Sequence, residues 1–415
     1  MDIAKRISLL GTETAFAVSS EAAAFAAKGN KVYPFHLGDL NFKTPDTVIE
    51  ATLKAIRDGK TGYCPTTGIP QLREALAKDI NNARGTNYTM ENVAIQPGGK
   101  PTIGKFILAL MNPGDEVLYP NPGYPIYESQ IEFNGGKAIP YSSTEEEDGF
   151  KLDINSIERK ITPRTKAIII NSPQNPTATE YSYDELTKLA ELAHKYDLIV
   201  LSDEAYFDMR YEGKTISIAS LPDMQERTII LYTFSKKFAM SGWRLGATIA
   251  PKSIIDVIAK LNVNDESCSN HFIQYGALAG LTGDQTEIKQ MLTVLRERRD
   301  ICLDFLNPIP GIKCPKPETT FYVFPNVTEL MRSKGYTDYE PFRKDVLHNT
   351  GVSFCTRLHF GRQLENETNK YIRLAYSGIS SDEIREGLNK FKTYINSLTS
   401  VTTKVPKMAE EFKPA

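Results

Sequence analysis

Short apolar segments alternate with amphipathic segments through the middle of this chain. Continuous runs of aliphatic and β-branched residues predict buried strands at "VAIQ" (93–96), "EVLYP" (116–120), "KAIIIN" (166–171), "LIVLSD" (198–203), "TIILYT" (228–233) and "LGATIA" (245–250). Helical periodicity predicts helices over residues 70–83 and 182–196, with Ser182 as the N-cap of the second. Apolar strands alternating with helices are typical of a mostly parallel sheet that helices cover on both faces.

The C-terminal part of the chain has a different pattern. A charged helix leads from about residue 296 into "GIKCPKPETTFYVFPNV", followed by a helix, the short strand "KYIRLAYS" and a last helix. We therefore expect an α/β fold with a large domain at 46–295 and a smaller α+β domain at 296–400. Residues 1–45 are expected to pack with the small domain, and 401–415 to form a frayed tail.

Composition narrows the class of protein. The 415 residues carry 49 basic and 51 acidic side chains, a net charge of -2, which gives no electrostatic reason to expect nucleic acid. No apolar run is long enough to span a bilayer, and the first residues do not have the pattern of a signal peptide. Five scattered cysteines fit neither a zinc pattern nor a disulfide framework. We expect a cytoplasmic protein without a metal site.

The stretch "TFSKKFAMSGWRLG", Thr233 to Gly246, places two adjacent lysines where a predicted strand gives way to a turn. An isolated pair of lysines is usually just solvated. A lysine at the mouth of an α/β sheet can also act as an amine nucleophile. Arg244, eight residues after Lys236, offers a fork that suits phosphate. A nucleophilic lysine beside a phosphate clamp suggests pyridoxal 5′-phosphate (PLP).

PLP requires further partners, and the sequence offers candidates for them. A carboxylate must keep the ring nitrogen protonated, and Asp203 ends a predicted strand with Tyr206 three residues on. Gly98, Gly99 and Lys100 follow the strand "VAIQ" and precede an apolar helix, whose N-terminus can bind the phosphate. Taken singly, Asp203 as a helix cap and Tyr206 as a core aromatic residue are equally good interpretations.

Together and in this order, these segments resemble the class I/II aminotransferases, PLP enzymes of fold type I similar to aspartate aminotransferase. The resemblance covers about residues 20–397 and implies a seven-stranded sheet in the large domain. "SKKFAMSGWRLG" resembles the lysine signature of the family. It places Lys236 at the Schiff-base position, Arg244 at the phosphate arginine and Thr233 at a phosphate-binding hydroxyl. Lys237 falls on a variable position.

The resemblance also assigns the remaining cofactor contacts. Tyr63, in "GYCPTTGIPQLREAL", matches the tyrosine that reaches the phosphate in the neighbouring subunit, which implies a homodimer. Tyr124 matches the aromatic residue that stacks on the pyridine ring, and Asn175 matches the asparagine that bonds the phenolic oxygen. Asp203 and Tyr206 match the pyridinium partner and a second donor to that oxygen.

On the substrate side, Arg373 in "YIRLAYS" matches the arginine that grips the α-carboxylate through two parallel hydrogen bonds. Gly38 matches a glycine whose backbone lies against the same carboxylate, and Asn175 is shared with the cofactor. Two segments depart from the pattern, because Ala178 stands where glycine is usual and Thr319 lies near a usual glycine.

The resemblance implies an aminotransferase that moves an α-amino group by a ping-pong mechanism. The donor would be aspartate, an aromatic amino acid or a related one, and the acceptor a 2-oxo acid such as 2-oxoglutarate. A β- or γ-eliminating lyase stays open, because those reactions begin with the same Cα deprotonation and use the same residues. The second cation that a dicarboxylic substrate needs is also left open among Lys105, Lys260 and Arg357.

Overall fold

The computed structural model describes residues 2–11, 14–365 and 367–399. Its strands are β1 (Tyr33–Pro34), β2 (Val93–Gln96), β3 (Glu116–Pro120), β4 (Lys137–Tyr141), β5 (Ser143–Glu146), β6 (Gly149–Leu152), β7 (Thr165–Asn171), β8 (Ile199–Asp203), β9 (Thr228–Thr233), β10 (Gly246–Ile249), β11 (Tyr322–Val323), β12 (Val352–Ser353), β13 (Cys355–Thr356) and β14 (Ile372–Ala375). The tail predicted at 401–415 lies outside the described residues.

The helices pack on both sides of these strands. They are α1 (Ala15–Ala26), α2 (Asp46–Arg57), α3 (Pro70–Arg84), α4 (Lys100–Leu110), α5 (Ile126–Phe133), α6 (Ile154–Arg159), α7 (Tyr183–Lys195), α8 (Phe234–Lys237), α9 (Lys252–Asn264), α10 (His271–Thr282), α11 (Thr286–Leu306), α12 (Thr328–Ser333), α13 (Tyr339–Thr350) and α14 (Ser381–Ser397). Ser182 caps α7 as predicted, since its hydroxyl accepts a hydrogen bond from the backbone N–H of Glu185.

The main sheet, counted over the described residues, has seven strands in the order β2-β10-β9-β8-β7-β3-β4. Strands β9, β8, β7, β3 and β4 are parallel, and β10 runs antiparallel to both of its neighbours. The α/β fold class and the seven-stranded, mostly parallel sheet are therefore confirmed. All six predicted strands belong to it, and β4 is the strand that the sequence pattern missed.

Parallel alignment brings the carboxyl ends of neighbouring strands to one edge of the sheet. Asn171 ends β7, Asp203 ends β8 and Thr233 ends β9 at that edge. In sheets of this kind ligands bind outside the carboxyl ends of the strands, so the topology places three polar side chains where a ligand belongs.

A second sheet in the C-terminal part of the chain has the order β11-β14-β13. Helices α11 and α14 pack beside it, and β1 from the N-terminal segment pairs with β12 in parallel. Arg373 lies in β14, one strand away from Tyr322 in β11. The division of the chain at residues 45, 295 and 400 stays a prediction. Within the described residues, no helix has the length and apolar character that crossing a membrane requires.

Candidate active site

A cavity of about 520 Å³ opens at the carboxyl edge of the main sheet. The sequence-predicted site residues that line it are Gly38, Gly99, Lys100, Tyr124, Asn175, Asp203, Tyr206, Thr233, Lys236, Arg244 and Arg373. Gly98 and Tyr63 are the two that do not line it. The topology therefore collects side chains that lie more than 300 residues apart in the sequence.

Lys236 projects into this cavity from a one-turn helix. The side chain of Thr233 caps the turn by accepting a hydrogen bond from the backbone N–H of Ser235 at 3.2 Å, which fixes the direction in which α8 leaves the strand. The Nζ of Lys236 donates to the backbone oxygen of Gly38 at 2.8 Å. It also lies 5.4 Å from the ring centre of Phe321. An amine held among rings at a cavity wall is placed to meet a bound carbonyl.

Lys237 points away from the cavity. Its Nζ lies 3.3 Å from a carboxylate oxygen of Asp79 and 3.4 Å from one of Asp208, and its side chain is only 13% exposed. The adjacent lysines thus have separate functions: Lys236 enters the cavity, and Lys237 joins two segments through a partly buried ion pair.

Asp203 presents a fully buried carboxylate to the cavity. One oxygen accepts a 2.6 Å hydrogen bond from the hydroxyl of Tyr127, and the other accepts the backbone N–H of Ala205 at 3.1 Å. Burial raises the pKa of Asp203 to about 6, and these two hydrogen bonds act against that increase. No cationic side chain in the described part of the chain forms an ion pair with it. The carboxylate is therefore ready for a cationic ligand.

Glu204, the next residue, has a different role. Its carboxylate forms a buried ion pair with Arg84 and accepts hydrogen bonds from the hydroxyls of Ser202 and Ser217. Alternation along the strand puts the two neighbouring carboxylates on opposite faces, so only Asp203 reaches the cavity.

Gly98 lies against the guanidinium of Arg244. The backbone of Gly98 has a φ of 104°, and a Cβ there would lie 2.2 Å from the Nη2 of Arg244. A side chain at this position would displace the guanidinium. The N–H of Gly98 itself donates to the backbone oxygen of Gln96, so this glycine supplies space rather than a free donor. The neighbouring Gly99 and Lys100 begin α4, whose N-terminus faces the cavity.

Arg373 is buried at the opposite wall. One Nη atom donates to the side-chain oxygen of Asn175 at 3.0 Å, and the other donates to the backbone oxygen of His36 at 2.7 Å. Among the described residues, the Nε of Arg373 has no hydrogen-bond partner. No carboxylate in this part of the chain forms an ion pair with the guanidinium. A buried cation without an anion costs stability, so its place in a cavity wall indicates an anionic ligand.

These observations test the cofactor that the resemblance implies. The cavity has a carboxylate without an ion pair for a pyridinium at Asp203, an amine for an aldehyde at Lys236 and the guanidinium of Arg244 for a phosphate. A second unpaired charge, on Arg373, is left for a substrate carboxylate. The residues present therefore fit PLP together with an amino acid.

Several residues at this site gave no signal in the sequence. Tyr127, in α5, donates its hydroxyl proton to Asp203. The hydroxyl of Tyr322 lies 2.7 Å from that of Tyr206. His36 lines the cavity beside Arg373, and burial followed by the charge of Arg373 lowers its pKa to about 4, so it adds no positive charge near neutral pH.

The two departures from the glycine pattern have a backbone explanation. Ala178 has a φ of 58°, in the left-handed region that favours glycine. Next to Thr319, the residue with a positive φ is Thr320, at 64°. Thr320 immediately precedes Phe321 and Tyr322, so the strained turn sets the position of both rings.

The three candidates for a second cation lie outside the cavity. Lys105 is buried in an ion pair with Glu266, and Arg357 is buried in one with Glu367. Lys260 is exposed on α9. Tyr63 is 88% exposed on this chain and does not contact the cavity of its own subunit.

Comparison with known proteins gives consistent matches. Residues 30–391 match the family described as aminotransferase class I and II. The chain is 34% identical over 400 residues to the probable aspartate/prephenate aminotransferase of Aquifex aeolicus, with 95% of this chain and 99% of that protein covered. Among solved structures it is similar to alanine aminotransferase from Pyrococcus furiosus, with a TM-score of 0.87, 32% identity and coverage of 95% and 100%. It is also similar to aspartate aminotransferase from Thermus thermophilus with maleate, with a TM-score of 0.86, 30% identity and coverage of 95% and 99%.

Proposed function

The chain belongs to the class I and II aminotransferase family and is a PLP-dependent aminotransferase, and from this premise we propose that Lys236, Asp203 and Arg373 carry its reaction. The observation that supports this assignment is the convergence of an amine, an unpaired carboxylate and an unpaired guanidinium on one cavity. The proposed substrates are an amino acid such as aspartate or an aromatic one, and a 2-oxo acid such as 2-oxoglutarate. The relatives reported above are named for aspartate, prephenate and alanine, so the side chain of the donor is left to experiment.

PLP supplies an aldehyde that condenses with amines and a protonated ring that accepts the electron pair left when a Cα proton departs. Lys100, Gly99, Thr233 and Arg244 would hold its phosphate, and Tyr124 would lie against its ring. Asp203 would pair with its ring nitrogen. Asn175 and Tyr206 would donate to its phenolic oxygen. These assignments follow the resemblance and agree with the places of the side chains around the cavity.

The chain's own residues then act on the substrate. Arg373 binds the α-carboxylate through its fork, and the rings of Tyr322 and Phe360 lie against the guanidinium. The Nζ of Lys236 accepts the proton that leaves the substrate Cα and later donates it again, as a general base and acid. One amino acid and one 2-oxo acid bind in turn, so we expect ping-pong kinetics.

The reaction type can be tested by product analysis. The holoenzyme is mixed with single amino acids and 2-oxoglutarate, and the products are separated. Glutamate and the 2-oxo acid derived from the donor should appear in equal amounts. Pyruvate and ammonia formed without glutamate would show the eliminating activity that the shared residues also permit.

Arg373→Gln should raise the KM for the amino donor by about 100-fold, because the substrate carboxylate loses a buried, charged hydrogen-bond donor. The kcat should fall less than the affinity. Steady-state kinetics with saturating PLP measures both constants. Arg385→Gln on the surface of α14 is the matched control and should leave KM within error. Equal KM values for Arg373→Gln and the wild type would contradict the assignment.

We also propose that the enzyme is a homodimer in which Tyr63 completes the site of the partner subunit. An aromatic side chain that is 88% exposed on the isolated chain supports this proposal. Tyr63→Phe should weaken PLP binding by about 10-fold through the loss of one hydrogen bond to a phosphate. Tyr183→Phe, which changes an exposed tyrosine at the start of α7, is the control.

Mixing variants tests the sharing of sites directly. When Lys236→Ala subunits are combined with Tyr63→Ala subunits, each hybrid dimer contains one fully native site. Random reassociation should therefore restore about a quarter of the wild-type activity. No recovery on mixing would indicate that each site is built from a single chain.

For the compartment we propose the cytoplasm, which the five unpaired cysteines support.

A further inference from the structure

Tyr322 contacts several elements of the proposed site, although neither the sequence nor the family comparison gives it a role. It lies in β11 opposite Ala375 of β14 and is 1% exposed. Its hydroxyl lies 2.7 Å from the hydroxyl of Tyr206, and the two rings meet edge to face with centroids 5.5 Å apart. The contact joins residues 116 positions apart in the chain.

The ring of Tyr322 also lies under the carboxylate-binding arginine. The guanidinium carbon of Arg373 lies 4.5 Å from the ring centre of Tyr322 and 4.6 Å from that of Phe360. Cation–π attraction to two rings favours one orientation of the planar guanidinium. Tyr322 therefore contacts the substrate side of the cavity through its ring and the cofactor side through its hydroxyl.

The hydroxyl of Tyr322 also leaves no room for a side chain at position 38. A Cβ built on Gly38 would lie 2.4 Å from the Oη of Tyr322, and the backbone oxygen of Gly38 accepts the hydrogen bond from Lys236. A larger residue at Gly38 would push the Tyr322 hydroxyl away from Tyr206. The absence of a side chain at Gly38 keeps this hydroxyl in place.

We propose that Tyr322 is a positioning residue that strengthens the hydrogen bond from Tyr206 to the phenolic oxygen of the cofactor, while its ring separately orients Arg373. The inference rests on the proposed function, because that function assigns Tyr206 to the phenolic oxygen and Arg373 to the substrate carboxylate.

A tyrosine hydroxyl has one proton to donate and can also accept a hydrogen bond. When Tyr206 donates its proton to the cofactor oxygen, the contact with Tyr322 is kept only if Tyr322 donates to Tyr206. Burial raises the pKa of both phenols, so both keep their protons. In a chain of hydrogen bonds each donor polarises the next, so Tyr322 makes Tyr206 a stronger donor.

A stronger donor has a measurable consequence in the holoenzyme. A hydrogen bond to the phenolic oxygen of the cofactor stabilises the anionic form of that oxygen. The oxygen then attracts less strongly the proton on the nitrogen that would link Lys236 to the cofactor. The pH midpoint of the absorbance change of the bound cofactor is therefore lowered by Tyr206 and lowered further by Tyr322. Tyr322→Phe removes only the hydroxyl and should raise this midpoint by roughly half a pH unit. Tyr206→Phe should raise it by more.

Two further variants separate the hydroxyl from the ring. Tyr322→Phe keeps the ring over Arg373, so binding of a non-reacting carboxylate should stay within about 2-fold of wild type. Phe360→Leu removes the other ring and should weaken that binding by about 5-fold without moving the pH midpoint. The probe is whichever of maleate, succinate and 3-phenylpropanoate the wild-type holoenzyme binds most tightly, with binding followed by absorbance.

The outcomes distinguish this inference from the proposed function. A raised midpoint in Tyr322→Phe, with no further rise when Tyr322→Phe is added to Tyr206→Phe, supports the relay. An unchanged midpoint in Tyr322→Phe while Tyr206→Phe shifts it overturns the inference alone. Unchanged midpoints in both variants overturn the assignment of Tyr206 and the inference together. Circular dichroism of each holoenzyme verifies that the variants are folded.

Discussion

Replacing Lys236 by alanine is expected to lower the rate of transamination by about 10⁴-fold or more, because the change removes the proposed proton-transfer group altogether. The Nζ of this lysine is held at the cavity wall by the backbone oxygen of Gly38. Apart from Lys236, the basic side chains that line the cavity are Lys100, Arg244, Arg373 and two histidines. A guanidinium does not act as a base in proteins, and the assignment uses Lys100 for the phosphate, so neither the two arginines nor Lys100 replaces Lys236.

The measurement needs a second signal besides activity. Borohydride reduction of the wild-type holoenzyme, followed by peptide mapping, should place a pyridoxyl group on the peptide that contains Lys236. The Lys236→Ala variant should yield no labelled lysine, even though Asp203 and Arg244 can still hold PLP. Single-turnover absorbance measurements with an amino acid then give the loss in rate.

Lys237→Arg is the matched control. It changes the adjacent lysine but keeps the charge between Asp79 and Asp208. This variant should transaminate at a rate close to wild type and should still be labelled at Lys236. A pyridoxyl group on Lys237 of the wild type, or rapid turnover by Lys236→Ala, would disprove the assignment of the catalytic lysine.

The main sheet was largely predictable because its central strands are apolar on both faces. Strand β4 was missed for a physical reason: it is an edge strand with an exposed lysine at its start and a proline at position 140. An edge strand tolerates proline, since one of its sides needs no ladder hydrogen bonds. Its sequence therefore resembles a loop.

Asp203, Thr233 and Lys236 could be proposed from the sequence because they end or follow predicted strands, whereas Tyr63, Tyr124, Asn175 and Arg373 came from the family resemblance. Their partners were not accessible. Tyr127 contacts Asp203 across 76 residues, and Lys237 pairs with Asp79 across 158. No local pattern distinguishes a lysine that will meet two aspartates from a solvated one. The candidates for a second cation were undecided for the same reason, because the glutamates that pair with Lys105 and Arg357 were visible only in the fold.

Replacing Asp203 by asparagine is expected to have two opposite effects: a loss of about 10³-fold in kcat, and a more stable cofactor-free protein at alkaline pH. The loss of rate follows from removing a preorganised charge that the proposed chemistry places against a cationic ring. Asparagine is close to isosteric, and its amide can donate to the oxygen of Tyr127 while its oxygen accepts the N–H of Ala205. The hydrogen bonds around position 203 can therefore be kept.

The gain in stability follows from the pKa of the buried carboxyl. Its pKa is about 6 in the folded protein, against an ordinary value of 3.8. An acid whose pKa is higher in the folded state makes ionisation costly to folding. This cost is absent below about pH 4, increases between pH 4 and pH 6 and is complete above pH 6. Asparagine removes a cost on the order of 3 kcal/mol in the range above pH 6.

Thermal unfolding of the cofactor-free proteins over pH 4 to 8 measures this effect. The wild type and Asp203→Asn should have similar Tm values near pH 4, and the variant should have the higher Tm at pH 8. Asp304→Asn, at an exposed carboxylate on α11, should follow the wild type throughout. Adding PLP should reverse the order at pH 8, because a cationic ring compensates the buried charge only when Asp203 is present. If Asp203→Asn kept wild-type kcat, or if PLP stabilised it as much as the wild type, Asp203 would not be the partner of the ring nitrogen.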